Sequence, residues 1–173
     1  MTLELSFHIA NPNDAAAIAA LVNSAYRGDF SRHGWTTEAD FLEGRRTELK
    51  EVLALMADAQ YLFVIAKQQH TLQASVLLEH TDDAVHLGML AVNPLQQNQG
   101  IGKALLNEAE KIAKQTWQTQ CFKLSVLTCR PELIAFYQRR GYQCTGITER
   151  LYSSSLWTEK TSDLYLELLE KRC

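Results

Sequence analysis

The sequence has few of the features that mark membrane, secreted or metal-binding proteins. Its 173 residues include three prolines and four cysteines, and Cys121, Cys129, Cys144 and Cys173 form neither a C-x-x-C pair nor a paired metal spacing. No window approaches 18 uninterrupted apolar residues, and the first ten residues lack a basic stretch followed by a long apolar run. We therefore expect a cytoplasmic protein with free, buried thiols, no bound metal, no signal peptide and no membrane span.

A strong charge of one sign is also missing. The formal net charge is −3, with 46% hydrophobic and 21% charged residues, which is ordinary for a globular protein. A surface that binds nucleic acid is normally basic, so we expect no nucleic-acid partner. The length suits a single domain over residues 1–173, and exposed strand edges are compatible with either a monomer or a homodimer.

The most informative stretch joins an apolar strand to an amphipathic helix. Residues 84–92 are apolar apart from His86, which predicts a strand buried on both faces, and Asn93-Pro94 ends it. A helix is predicted from Gly100 onwards, because apolar residues recur along it at the helical period.

The turn between them, QNQGIG at residues 97–102, suits an anion. The first N–H groups of a helix have no partner inside it, and Gly100 and Gly102 would let a diphosphate approach the main chain, with Lys103 adding a charge. The alternative is a plain connection with glycines at a crowded crossing. Neither a G-x-x-x-x-G-K-[ST] phosphate loop nor the three-glycine Rossmann fingerprint is present.

The rest of the chain predicts alternating short elements. We expect helices over residues 12–26, 38–43, 48–57 and 131–140, the second and third capped by Thr37 and Thr47, with an irregular loop over residues 27–36. We expect strands over residues 5–9, 61–66, 72–78, 121–127, 142–149 and 163–169, although the last pattern also permits a helix. The strands from 61 to 92 form an antiparallel meander, and residues 121–127 follow a crossover and so run parallel to 84–92.

Two segments together resemble the Gcn5-related N-acetyltransferases (GNAT). Val92-x-Pro94-x-x-Gln97-x-x-Gly100-x-Gly102 is similar to the acetyl-CoA signature of this family, whose core is [Q/R]-x-x-G-x-[G/A]. PELIAFYQRRGYQ, residues 131–143, is similar to a second family segment, F-Y-x-x-x-G-[F/Y]. The resemblance implies an α/β fold, with a mixed sheet of about six to seven strands flanked by helices. A splayed central parallel pair, residues 84–92 and 121–127, would hold acetyl-CoA.

The resemblance also implies a reaction and a set of residues. An acetyl group would pass from acetyl-CoA directly to a primary amine of a small molecule or amino acid, with Tyr137 protonating the departing thiolate. The alternatives are a protein N-terminal or lysine acetyltransferase, a longer acyl donor, and a CoA-binding sensor without catalysis. The implied cofactor-binding residues are Leu90, Ala91, Val92, Gln97, Asn98, Gln99, Gly100, Ile101, Gly102, Lys103 and Arg130.

Arg130 departs from the family pattern, which often has asparagine there, so it either reaches a phosphate or pairs with an acid. His86 lies six residues before Val92 and would share its strand face, which makes it the candidate base, with Glu79 and His80 as fallbacks. The first loop would cover the acceptor and offers substrate-binding candidates. These are Tyr26, Arg27, Arg32 and Trp35.

Overall fold

A computed structural model describes residues 4–173. Its strands are β1 (Leu5–Ile9), β2 (Leu42–Gly44), β3 (Tyr61–Gln68), β4 (Thr71–His80), β5 (Val85–Val92), β6 (Cys121–Leu127), β7 (Gln143–Arg150), β8 (Trp157–Glu159) and β9 (Tyr165–Arg172). Its helices are α1 (Ala15–Tyr26), α2 (Leu49–Met56), α3 (Ile101–Trp117) and α4 (Pro131–Gln138). None of these helices is long and apolar enough to cross a membrane.

Seven strands form one mixed sheet, in the order β1-β3-β4-β5-β6-β9-β7, and β2 pairs with β8 in a separate two-stranded ribbon. The strands β3, β4 and β5 form the expected antiparallel meander. The crossover through α3 brings β6 parallel to β5, because a helical connection returns the chain to the same end of the sheet. The predicted mixed α/β fold is therefore confirmed.

The central parallel pair separates soon after it begins. β5 and β6 pair only at Val85 with Phe122 and at His86 with Lys123. Beyond these pairs, β6 is bonded to β9 along its whole length, while β5 remains bonded to β4. Within residues 4–173, the edge of β5 that faces β6 therefore has no strand neighbour from Leu87 onwards, and its backbone groups are available to other partners.

Helices cover both faces of the sheet, and β3 shows how one strand serves both layers. Val64 packs in the cluster that contains Leu105 of α3, while Phe63 and Ile65 pack with Ile18 of α1. All five side chains are almost fully buried. Burial of one such side chain contributes about 1.5–3 kcal/mol, so the two layers hold the sheet between them.

The predicted helix over residues 38–43 is wrong. One turn forms there, with the Phe41 and Leu42 N–H groups donating to the Glu38 carbonyl, but it is not continued. Leu42–Gly44 instead pairs with Trp157–Glu159, a strand absent from the sequence prediction. Gly44 has φ +109, and a Cβ on it would lie 2.3 Å from the Leu156 carbonyl oxygen, so this ribbon depends on glycine.

Smaller differences concern a cap, a strand start and the thiols. Thr47 does not cap α2, because Glu48 is the N-cap residue and the buried Thr47 hydroxyl has no partner in the part of the chain that the structure describes. The last element, predicted over residues 163–169, is a strand and not a helix. It begins at Tyr165, two residues later than predicted, because Asp163 has a positive φ. Only Cys121 is buried, and the expectation of burial is wrong for the other three thiols, all of which are unpaired.

Candidate active site

A cavity of about 290 Å³ lies where the carboxyl end of β5, the start of α3 and one face of α4 meet. Its wall contains every residue predicted to bind the cofactor except the exposed Gln99. The lining also includes Tyr26, Trp35 and Tyr137. The first cavity therefore brings the two sequence motifs together, although they are about 30 residues apart in the chain.

The start of α3 is open to an anion. Its N-cap residue, Gly100, has φ +80, and no side chain of residues 4–173 caps the helix. The N–H groups of the first turn therefore lack a side-chain acceptor and carry the positive end of the helix dipole. Gly102 lies close to the strand and to α4, since a Cβ there would be 3.4 Å from Val92 Cγ2 and 3.7 Å from Phe136 Cζ. Together these positions make a narrow backbone cradle.

The end of β5 directs its polar backbone groups into the first cavity. The N–H of Asn93 donates to the Gln73 carbonyl on β4, and successive strand residues direct their N–H groups to opposite edges, so the Val92 N–H points to the open edge. The carbonyls of Leu90 and Val92 accept bonds from the Tyr26 hydroxyl (2.9 Å) and from Gln97 Nε2 (3.1 Å). The Val92 N–H thus remains as a donor at this edge.

Basic side chains that the sequence interpretation missed surround the same cavity. Arg139 and Arg140 line it together with Lys103. The Arg140 guanidinium stacks on Phe136, 4.0 Å from the ring centroid, and its Nη1 donates to the Phe136 carbonyl. Both arginines belong to the QRRG end of the second motif, so their position after the helix was the available signal. Three cations favour a ligand with several negative charges.

A second cavity, of about 400 Å³, lies behind the first. Tyr26, Leu90, Arg130, Leu133 and Tyr137 line both cavities, so the two meet at these residues. The ribbon of β2 and β8 forms part of the second wall. The arrangement can hold one molecule on each side of the splayed strand, with their reacting ends at the junction.

Tyr137 is a buried ionisable group at this junction, as Arg130 is. Its hydroxyl makes no hydrogen bond to any of residues 4–173, and its ring packs edge-on against Phe136 and Tyr142. Burial raises the pKa of Tyr137 far above the ordinary tyrosine value of about 10, with the neighbouring Tyr26 as a smaller cause. The phenol therefore keeps its proton at neutral pH and has no competing partner.

Two buried arginines share one carboxylate beside Tyr137. Glu38 accepts from Arg27 Nη1 at 2.6 Å and from Arg130 Nη1 at 3.0 Å. Arg130 Nη2 also donates to Thr36 Oγ1 at 2.7 Å. Burial lowers the pKa of Arg27, and Glu38 opposes that shift. Arg130 was expected either to reach a phosphate or to pair with an acid, and the structure contains the ion pair with Glu38. Its side chain also lines the first cavity.

His86 does not share a strand face with Val92. Met89 has φ +49, and the pairing of β4 with β5 shifts register at this point, as in a β-bulge. Val85 and Leu87 pack in the α3 layer before the bulge, whereas Met89 and Ala91 pack in the α1 layer after it. The six-residue spacing therefore places His86 on the opposite face, where it lines the second cavity opposite Glu79.

The four predicted substrate residues separate into different places. Tyr26 and Arg27 line the second cavity, but Trp35 lines only the first, where it packs 6.1 Å from the Phe136 ring. Arg32 lines neither cavity, because its half-exposed guanidinium is held by Asp40 at 2.7 Å on the surface. A substrate role for Arg32 is not supported by this position.

Comparison with known proteins decides the family. The family model described as "Acetyltransferase (GNAT) family" matches residues 15–142, well over half of the chain. The chain belongs to the GNAT acetyltransferase family.

Sequence relatives of this GNAT protein add little about its acceptor. It is 32% identical over 72 residues to the uncharacterized protein YdhI of Bacillus subtilis strain 168. That match covers 40% of this chain and 43% of YdhI, so the chain spans less than half the length of that relative.

Solved GNAT structures share the fold at low identity. The Escherichia coli ribosomal-protein-S18-alanine N-acetyltransferase has a TM-score of 0.72 at 16% identity, covering 98% of this chain and 94% of that one. The yncA protein of Salmonella typhimurium, solved with its cofactor acetyl-CoA, has a TM-score of 0.70 at 16% identity, covering 97% and 93%. An N-acetyltransferase of Staphylococcus aureus Mu50 has a TM-score of 0.73 at 14% identity, covering 98% of both chains.

Metal chemistry has no candidate centre in the part of this GNAT chain that the structure describes. No group of three or more His, Cys, Asp or Glu side chains in residues 4–173 is arranged to hold a metal ion.

Proposed function

We propose that this protein is an N-acetyltransferase that moves an acetyl group from acetyl-CoA to a primary amine of a small molecule or amino acid. The amine attacks the thioester directly while both molecules are bound. The observation that carries this proposal is the meeting of two cavities at Tyr137, beside the open edge of β5. A ternary-complex reaction needs such a junction, because reacting groups must be held within contact distance.

Acetyl-CoA would occupy the first cavity. The uncapped N–H groups at the start of α3 would bind the diphosphate, and Lys103, Arg139 and Arg140 would neutralise the phosphate charge. The pantetheine arm would run along the open edge of β5 as an added strand does, since the β6 side has no strand partner there.

Two groups would act on the thioester. The Val92 N–H, directed to the open edge, would donate to the carbonyl oxygen as negative charge develops on it. One preorganised donor of this kind lowers the activation free energy by about 3 kcal/mol. Tyr137 would donate its proton to the departing thiolate, which suits a phenol whose pKa is raised by burial.

The amine must lose a proton before or during attack. His86 and the Glu79 carboxylate, paired in register on β5 and β4, line the second cavity and are the candidate bases, acting directly or through water. His80 stacks on Trp117 at 5.1 Å and lines neither cavity, so the structure offers it no comparable role.

Calorimetric titration with CoA tests the cofactor cavity. Gly102→Glu should abolish binding, since the new side chain crowds Val92 and brings a negative charge to the diphosphate. Asn107→Glu adds the same charge further along the exposed face of α3 and should leave the affinity unchanged. Equal affinities for both variants would exclude the diphosphate cradle.

Thiol release from acetyl-CoA with a panel of amines tests the reaction. Tyr137→Phe should lower turnover by about 100-fold or more while leaving CoA affinity within about twofold, because only the transferred proton is lost. Full activity of the variant would rule out the acid role. CoA binding without turnover on any amine would favour the alternative, a CoA-binding sensor module.

A further inference from the structure

The second cavity contains a guanidinium without an acidic partner. Arg46 is half buried, and within residues 4–173 its side chain makes no ion pair or hydrogen bond. Its guanidinium carbon lies 5.8 Å from the ring centroid of Tyr26 and 5.6 Å from that of Trp157. The other two arginines in this wall are both paired with Glu38. Arg46 is therefore the cation in this wall that is available to a ligand.

The backbone beneath Arg46 is fixed. The Asn23 side chain accepts from the N–H groups of Arg46 (2.8 Å) and Thr47 (3.1 Å), and donates to the Thr47 carbonyl at 3.0 Å. Trp157 is set opposite Gly44 in the β2–β8 ribbon. The guanidinium thus extends from an anchored backbone and lies between the rings of Tyr26 and Trp157. Binding of an anion would therefore cost little conformational entropy of this side chain.

The balance of charge in the second cavity favours an anionic ligand. Its wall carries three arginines, Arg27, Arg46 and Arg130, against two glutamates, although the whole chain has a net charge of −3. Hydrogen-bond donors are also in excess, since Arg27 Nε and Trp157 Nε1 are buried and have no acceptor among residues 4–173. Unsatisfied buried donors of this kind are uncommon in native proteins and call for an explanation.

Much of the remaining wall is apolar, although His86 and Ser125 also line it. Leucines from several separate segments line it, among them Leu87, Leu124, Leu127, Leu151 and Leu166. A ligand that fills this space must therefore combine a negatively charged group with an apolar body.

We infer that the acceptor is a small amine that carries a carboxylate and an apolar side chain, and that Arg46 binds the carboxylate. Arginine holds a carboxylate through two parallel N–H···O bonds, a geometry that also fixes the orientation of the amine. The inference rests on the proposed function for the acetyl transfer, and it names the substrate class of the same site. Arg46 acts in it as a specificity-determining residue.

The test is binding of matched probes to the protein saturated with CoA, measured by calorimetry. The probes are L-leucine, L-methionine and L-phenylalanine, each with its amide and its decarboxylated amine. At least one acid should bind, and its amide and amine should bind at least about tenfold more weakly. Arg46→Gln should weaken binding of that acid by about 10- to 100-fold, the effect of losing a charge-assisted hydrogen bond, and should leave the amide unaffected.

Arg45→Gln is the matched control. Arg45 is the adjacent residue, but it is exposed and pairs with Glu48 at 3.6 Å, so its loss should not change binding of the probes. The thermal midpoint of each variant verifies that it is folded. The inference is overturned if none of the acids binds, if the amides bind as tightly as the acids, or if both arginine variants weaken binding equally.

Acetyl transfer and CoA affinity measured on the same samples separate this inference from the proposed function. Transfer confined to amides and carboxylate-free amines would overturn the carboxylate site and leave the acetyltransferase intact. An Arg46-dependent affinity for an acid without CoA binding or turnover would support the carboxylate site and overturn the proposed function.

Discussion

Removal of the Glu38 carboxylate should destabilise the protein more than removal of any exposed acid in the same loop. Glu38 has 12% of its side chain exposed, and its partners Arg27 and Arg130 have 4% and 5%. Glu38→Ala would leave two buried cations close together with no counter-ion. Breaking a buried ion pair from one side costs about 3–5 kcal/mol, because the remaining charge is desolvated without compensation.

The neighbouring Asp40 provides the comparison. Its bond to Arg32 is 2.7 Å long, nearly the same as the 2.6 Å bond between Arg27 and Glu38. However, the side chains of Arg32 and Asp40 are 43% and 62% exposed. Exposed pairs contribute about 0–1 kcal/mol. The two deletions thus remove carboxylates with bonds of similar length, and they differ in burial and in the number of arginines that lose a partner.

Calorimetric melting and urea unfolding of the ligand-free protein measure both variants. For a domain of this size, 1 kcal/mol shifts the Tm by about 2–4 °C, so Glu38→Ala should lower it by about 6–20 °C and Asp40→Ala by less than about 4 °C. Formate should raise the Tm of Glu38→Ala more than chloride at equal ionic strength, since it can occupy the vacated position between the guanidinia. Equal Tm changes in the two variants would refute the reasoning from burial.

Three further predictions follow from burial and backbone geometry. Gly44→Ala should increase proteolysis within residues 151–164, because the new Cβ would lie 2.3 Å from the Leu156 carbonyl oxygen. Gly28→Ala is the control and should not do so, because Gly28 also has a positive φ but a Cβ there would meet no atom within 4 Å. Leu105→Ala, at a fully buried position, should cost about 2–5 kcal/mol in urea unfolding, and a cost below 1 kcal/mol would contradict its place in the core. The urea midpoint should fall above about pH 10, because burial raises the pKa values of Tyr26, Tyr137 and Tyr142, so the unfolded chain loses these protons first. Equal midpoints at pH 9 and pH 11 would count against this.

The part of the first cavity formed by the end of β5, the turn and the start of α3 could be predicted because its determinants are local. The glycines, the proline and the apolar period of residues 92–106 act within a few residues of one another, and a strand followed by an uncapped helix start has one geometry. The boundaries of most strands were also close, since β-rich runs there are bounded by polar turns.

The prediction that His86 shares a strand face with Val92 failed at a single residue, while its role as a base stays a prediction. The sequence pattern assumes that a strand alternates without interruption, and the bulge at Met89 exchanges the two faces. A bulge forms from the pairing of two strands, so counting along β5 alone does not reveal it. The predicted helix over residues 38–43 failed for a related reason, because its competitor was a pairing with residues more than 100 positions away.

The sequence by itself indicated the fold family through two segments that resemble the acetyltransferase signatures. It also determined the strand–turn–helix unit, through periodicity and turn residues that act over short distances. Only the tertiary structure decided the composition of the second cavity. Arg46, Trp157, Glu38 and Arg130 lie in separate segments, and of these the sequence singled out Arg130 alone, as a candidate cofactor contact rather than as part of this cavity. Their roles depend on the charged and aromatic groups that surround each of them. Those neighbours are determined by the long-range pairing of β2 with β8 and by the packing of α1.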